Sequence, residues 1–277
     1  MFSVNSCHNS ITLYTLPGND LDDLAYPEKQ HIRYLNGISK NGNISLPISE
    51  TEAINEVQDW YGTHFINNVT FLNLSEEIIN FNLNSAFAKA NFIDWFSFRD
   101  FKEDGYIRIN NFLRNVSNQD RRTPLDVFQL KLSLMHQMVY QSTTFSNNLT
   151  LMRGEIRPSY VKRQWHEGSI FSAKTFMSTS RDEAAARTFC GPKDALKYGQ
   201  IYVFYTITNN NPYAGANISD ILCDGEEEYV FLPNTEFVIT SMDYDKHAKV
   251  LSVGLSTCQS NSHEFTSRLH ELVFSTK

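Results

Sequence analysis

The sequence predicts an α+β protein, helical in its first half and built on a mostly antiparallel sheet in its second. Three observations carry this expectation. Leu125, Phe128, Leu132, Met135 and Val139 recur at helical spacing behind Thr123-Pro124, where the proline suits a first helical turn. From Gln200 to Thr208, Ile201, Val203, Tyr205 and Ile207 alternate with Tyr202, Phe204 and Thr206, the period-two pattern of a strand. No segment repeats and none is of low complexity, so helices and strands share one non-repetitive architecture.

Composition bounds the rest. The chain has 277 residues, 41% of them hydrophobic, enough for a substantial core. Its formal charge is −7, without a dense Lys/Arg patch, so nucleic acid is not an expected partner. Cys7, Cys190, Cys223 and Cys258 are scattered, with no C-x-x-C pair, and no metal site is expected. No window approaches 18 apolar residues, so no spanning segment is expected, and the start lacks the basic and apolar regions of a signal peptide. An intracellular location is the expectation. Six N-x-S/T sequons, at Asn43, Asn68, Asn73, Asn115, Asn148 and Asn217, keep secretion as the alternative.

Residues 1–48 carry turn chemistry, such as Leu16-Pro17-Gly18-Asn19-Asp20, and read as an arm ahead of a single domain over 49–277. Ser49-Glu50-Thr51-Glu52 is a capping box for a helix running to Trp60. A second acidic-headed helix spans about 76–90, and Trp95, Phe96 and Phe98 are core. Tyr106 to Arg114 reads as a short helix, and the long helix from Thr123 ends near Tyr140.

The strands follow. Leu149 to Gly154 ends in an arginine and a glycine, and the glycine permits close backbone approach. Ala173 to Ser180 is a strand that runs into a capping box, Ser180-Arg181-Asp182-Glu183, for a helix closed by Gly191-Pro192. Ser178 points to the opposite face from Thr179. Later come a strand over 226–232, the turn Pro233-Asn234-Thr235, a strand over 236–241, and a last one near Lys249 to Ser256.

The stretch Gly225-Glu226-Glu227-Glu228-Tyr229-Val230-Phe231-Leu232-Pro233 stands out. Three acids before a strand ordinarily form a solvated turn. Read as part of the strand, Glu226 and Glu228 share one face and Glu227 takes the other. Carboxylates about 6–7 Å apart along that face repel by roughly 2 kcal/mol at an effective dielectric near 20. A cation beside them would offset the cost.

Arg153-Gly154, Ser178-Thr179-Ser180 and Glu226-x-Glu228 stand in this order on three strands, and together resemble the R-S-E signature of arginine-specific mono-ADP-ribosyltransferases. The likeness covers about residue 90 onwards. It includes Ala185-x-x-x-Phe189 after Ser-Thr-Ser, the proline turn and Glu236-Phe237 after the glutamates, and Asn110 with Leu113-Arg114 ahead of the long helix. It implies the ADP-ribosyltransferase fold, a helical half followed by a split β-sheet core with an NAD-binding cleft. It also implies NAD+ as co-substrate, no metal, and a protein presenting an arginine as partner.

By that resemblance Glu228 faces the cation that develops on the ribose, and Glu226 orients and helps deprotonate the acceptor arginine. Arg153 clamps a phosphate or the nearby ribose, and Gly154 offers its backbone to the nicotinamide carboxamide. Ser178 holds Glu228 or the nicotinamide ribose, and Phe189 stacks on nicotinamide or serves as core. NAD+ glycohydrolysis by the same fold, or an inactive NAD-binding module, are the alternatives.

Overall fold

A computed structural model describes residues 47–61, 72–88, 90–114, 123–142, 144–191, 196–259 and 262–274. The expected arm falls outside the described residues up to position 46. Helices α1 (Glu50–Tyr61), α2 (Leu74–Ala88), α3 (Phe92–Asp100), α4 (Tyr106–Leu113) and α5 (Thr123–Gln141) come first. The Ser49 box caps α1 reciprocally: the Glu52 N–H donates to Ser49 Oγ (3.2 Å), and the Ser49 N–H donates to the Glu52 carboxylate (3.0 Å).

Between α3 and α4 the chain does not leave the helix but widens into a π-helical turn, Phe101–Gly105. Gly105 is required there, because a Cβ would overlap the Asp100 carbonyl five residues earlier. Such single-turn widenings concentrate at functional sites.

The strands are β1 (Leu149–Pro158), β2 (Ile170–Ala173), β3 (Met177–Ser180), β4 (Gln200–Asn209), β5 (Gly215–Asn217), β6 (Glu228–Phe231), β7 (Thr235–Asp245) and β8 (Val250–Thr257). Short helices α6 (Val161–Gln164), α7 (Glu183–Thr188) and α8 (Ser219–Leu222) connect them, and α9 (Ser262–Phe274) follows. The strands form one sheet in the order β2-β7-β8-β4-β1-β3-β6-β5.

Several details differ from the sequence expectation. The sheet is mixed, since β4 and β8 run parallel along Tyr202–Thr208 and Val250–Ser256. The strand expected over 173–180 is two strands on opposite sides of the sheet, because β2 pairs with β7 whereas β3 pairs with β6. The strand expected from Glu226 starts only at Glu228, and α9 had no counterpart in the sequence reading. Asp182, not Ser180, caps α7: its carboxylate accepts from the Ala184 N–H at 2.7 Å.

The sheet splits at its middle. β1 pairs with β4 over ten residues but with β3 at one position only, Met152 opposite Ser180. It also curls, for Phe231 on β6 meets Phe237 on β7 at 5.1 Å between ring centres although four strands separate them. Two apolar cores result. One lies inside the curl, built from residues such as Val203, Ile207, Leu251 and Val253. The other joins the helices to the β3-β6-β5 edge through Trp95, Phe101, Phe176, Val230 and Leu134. The α3–π–α4 helix therefore lies beside the split.

Candidate active site

The split leaves the strands' polar groups in need of partners, and side chains supply them. With no ladder between β1 and β3 beyond Met152, the Ser178 carbonyl accepts from Arg153 Nη1 at 2.6 Å. Arg153 thus bridges the two halves of the sheet. Its guanidinium lies 5.3 Å from the centre of the Phe189 ring, and its Nε is 3.9 Å from Glu155. Phe189 is 43% exposed, which places it at the surface and not in the core.

Glu228 opens β6 opposite Ser180 on β3, two pairs along from Ser178 opposite Val230. Directly opposed residues share a face, so Ser178, Ser180, Glu228 and Val230 project together. The Ser178 side chain lies near enough to the Glu228 carboxyl to favour its ionised form. Only 8% of Glu228 is exposed. Burial raises its carboxyl above the ordinary value; Ser178 and Lys102 pull it down, and Glu226 and Asp224 push it up. Its N–H donates to Ser219 Oγ at 2.7 Å, and its carbonyl accepts from the Ile218 N–H at 3.0 Å, so both backbone groups are fixed.

Glu226 and Glu227 are exposed and precede the strand. The five residues from Cys223 to Glu227 hold three left-handed conformations: Cys223 (φ 55°), Gly225 (φ 72°) and Glu227 (φ 53°). Strand alternation therefore does not relate Glu226 to Glu228, and the shared-face argument fails for this pair. What fixes Glu226 instead is a cation. Lys102, on the π-helical turn, places Nζ 2.7 Å from Glu226 Oε2 and also pairs with the Asp224 carboxylate. The carbonyls on the loop are held too. Ser180 Oγ donates to Glu226 O at 3.3 Å, and the Arg181 N–H donates to Glu227 O at 3.3 Å.

Gly154 is a packing residue. A Cβ there would overlap Cys190 Sγ and lie 2.9 Å from the Ala186 carbonyl, so the missing side chain is what seats α7 against β1.

Beside Arg153, β1 carries Glu155 and Arg157. Glu155 accepts from Arg157 Nε at 2.6 Å and from the Tyr205 hydroxyl at 2.5 Å. Burial alone would raise Glu155, but Arg157 and then Arg153 hold it below the ordinary carboxylate value. Arg114, at the end of α4, joins this group. Partial desolvation, Arg157 and Arg153 push it below its ordinary value, with Glu155 opposing. Three guanidiniums around one carboxylate leave a net positive field at the split, which suits a diphosphate.

The structure thus gathers Arg153, Ser178, Glu228 and Phe189 about the split, and places Glu226 on the adjoining loop. The sequence reading missed Lys102, Ser219, Asp224 and Glu155. For Lys102 the only trace was a break in the apolar pattern, Lys102-Glu103-Asp104-Gly105, between Phe101 and Ile109. Among the described residues no group of three His, Cys, Asp or Glu side chains could hold a metal. No helix among them is long and apolar enough to cross a membrane.

No known family matches the sequence, and no curated protein does. Solved structures do resemble the fold. The ADP-ribosyltransferase Vis of Vibrio splendidus, solved with an inhibitor, aligns over 82% of this chain and 91% of its own at 18% identity, with a TM-score of 0.50. Vis solved with agmatine aligns over 82% and 92% at 19% identity, with a TM-score of 0.49. An ADP-ribosyltransferase of Clostridium botulinum aligns over 69% and 98% at 15% identity, with a TM-score of 0.46. The fold of this chain is the ADP-ribosyltransferase fold.

Proposed function

We propose that the protein is an NAD+-dependent mono-ADP-ribosyltransferase whose acceptor is the arginine side chain of a protein. One observation carries the reading: a buried carboxylate, Glu228, meets a hydroxyl, Ser178, beside a bridging arginine, at the split of an ADP-ribosyltransferase fold.

Each group has a chemical part. The arginines 114, 153 and 157 would hold the diphosphate of NAD+, with Arg153 nearest to Ser178 and Phe189 offering an exposed ring for nicotinamide. Breaking the bond between nicotinamide and ribose sends the bonding pair to the pyridinium nitrogen, so nicotinamide leaves neutral. Positive charge appears on the ribose, and a carboxylate fixed beforehand in a desolvated place stabilises that charge most. Glu228 is so placed: its backbone is locked by Ser219 and Ile218, and its side chain is shielded. An acceptor guanidine nitrogen then forms the new bond to the ribose carbon, and its proton passes to Glu226. The exposure of Glu226 fits a group that meets a protein surface.

The internal ion pair on Glu226 favours a second reading, hydrolysis of NAD+ by water, because part of that carboxylate is already engaged. Radiolabelled NAD+ with agmatine or polyarginine separates the two. Label on the acceptor in excess of free ADP-ribose supports transfer. Free ADP-ribose alone assigns hydrolysis, and no nicotinamide release at all overturns both.

A further inference from the structure

We propose that Lys102 is a positioning residue for the acceptor side of the site, holding Glu226 and its loop by an internal ion pair. The inference rests on the transferase reading above.

The loop needs such a device. Cys223, Gly225 and Glu227 sit in left-handed conformations, which for the two non-glycine residues cost of order 1 kcal/mol each. The loop joins α8 to β6, and the Glu226 side chain is 62% exposed. An exposed glutamate on such a loop would sample many rotamers, and a wandering base is a poor one. Lys102 removes that freedom from below. Its own side chain is only 13% exposed, and it reaches Asp224 and Glu226 together. The Asp224 carboxylate accepts the Glu226 N–H at 3.1 Å and is drawn down by the neighbouring Ser219, whose oxygen receives the Glu228 N–H. One chain of contacts therefore links Glu226, Lys102, Asp224, Ser219 and Glu228, and sets the acceptor glutamate in register with the buried one.

Lys102 stands on the π-helical turn, and Gly105 permits that widening. Charge fits as well. Asp224 and Glu226 both pair with the Lys102 ammonium, and Glu228 lies within its field. The burial of Lys102 would lower its pKa, but Asp224 and Glu226 outweigh it and keep the ammonium charged. Two negative charges remain uncompensated by Lys102, so the loop still attracts a cationic acceptor.

The test compares Lys102→Met, Lys102→Arg and Asp224→Asn with the wild-type full chain, using NAD+ with and without agmatine. Methionine fills the same space without charge. The expected result is a fall of about 10- to 100-fold in the ratio of transfer to hydrolysis in Lys102→Met. Most of it should appear in kcat for transfer, Lys102→Arg should recover a large part, and Asp224→Asn should give an intermediate loss. Equal losses of transfer and hydrolysis in Lys102→Met and Asp224→Asn, tracking a lower melting temperature, would make the ion pair merely structural and overturn the proposal. An unchanged ratio would do the same. If wild-type protein cleaves no NAD+, or cleaves it without labelling agmatine, the transferase reading itself fails. The variants are not needed to see that.

Discussion

Replacing Arg153 with lysine separates two roles that the structure gives to one side chain. In the free protein the guanidinium donates to Ser178 O at 2.6 Å across the split and lies 5.3 Å from the Phe189 ring centre. A guanidinium has five N–H donors in a flat fork, so the bond to Ser178 still leaves donors for a phosphate. Lysine keeps the charge but presents a point. It can satisfy the carbonyl or the phosphate, not both with the same geometry. The lost second hydrogen bond to the phosphate is worth about 1–2 kcal/mol, or roughly a 5- to 30-fold rise in the Kd for NAD+. Calorimetry of NAD+ binding measures this directly, with initial rates for KM and a thermal melt for the bridge. A normal Kd with a lowered melting temperature would refute the reasoning and leave Arg153 as a brace between sheet halves.

Three further substitutions test the remaining residues. Glu228→Gln should lower both transfer and hydrolysis by about 10²–10³. The wild-type carboxyl titrates above 4.5 and must be ionised to act, so activity should rise as pH passes through that raised value. Stability runs the other way: the contribution of the protonated carboxyl is full below 4.5 and lost as pH rises through the folded value. At neutral pH the glutamine variant should therefore melt higher than wild type, and a lower melting point would contradict the burial argument. Glu226→Gln should cut transfer to agmatine by about 10²–10⁴ while the remaining cleavage goes to water. Glu227→Gln, exposed and left-handed, should stay within about 0.5 kcal/mol in stability and near wild type in rate. Exchanged behaviour of these two would reassign the acceptor glutamate. Gly154→Ala should destabilise the fold by about 1–3 kcal/mol in urea melts. Adding Cys190→Ala should recover part of the loss, since the Ala186 carbonyl stays in the way, and no recovery would remove Cys190 from the account.

Periodicity and cap chemistry are local, so the sequence by itself determined the elements. The helix from Thr123, the alternation from Gln200 and the box at Ser49 stand close to where the residues put them. Arg153, Ser178 and Glu228 stood out through their likeness to a known motif, each on its own strand; the strand expected to end at Gly154 runs on to Pro158, so Arg153 lies within β1. What only the tertiary structure decided is how those strands meet. Nothing local says that β1 pairs with β3 at a single position, yet that leaves Ser178 O to the Arg153 guanidinium. The glutamate pair shows the same limit. Alternation holds only inside a ladder, and the ladder begins at Glu228, so the place of Glu226 depends on left-handed residues and on a partner 124 positions earlier. A pattern of period two cannot record a lysine that stands on a widened helical turn. Side-chain charge on one segment is matched by charge on another only when the chain folds, and that match lies in packing, beyond the reach of local pattern.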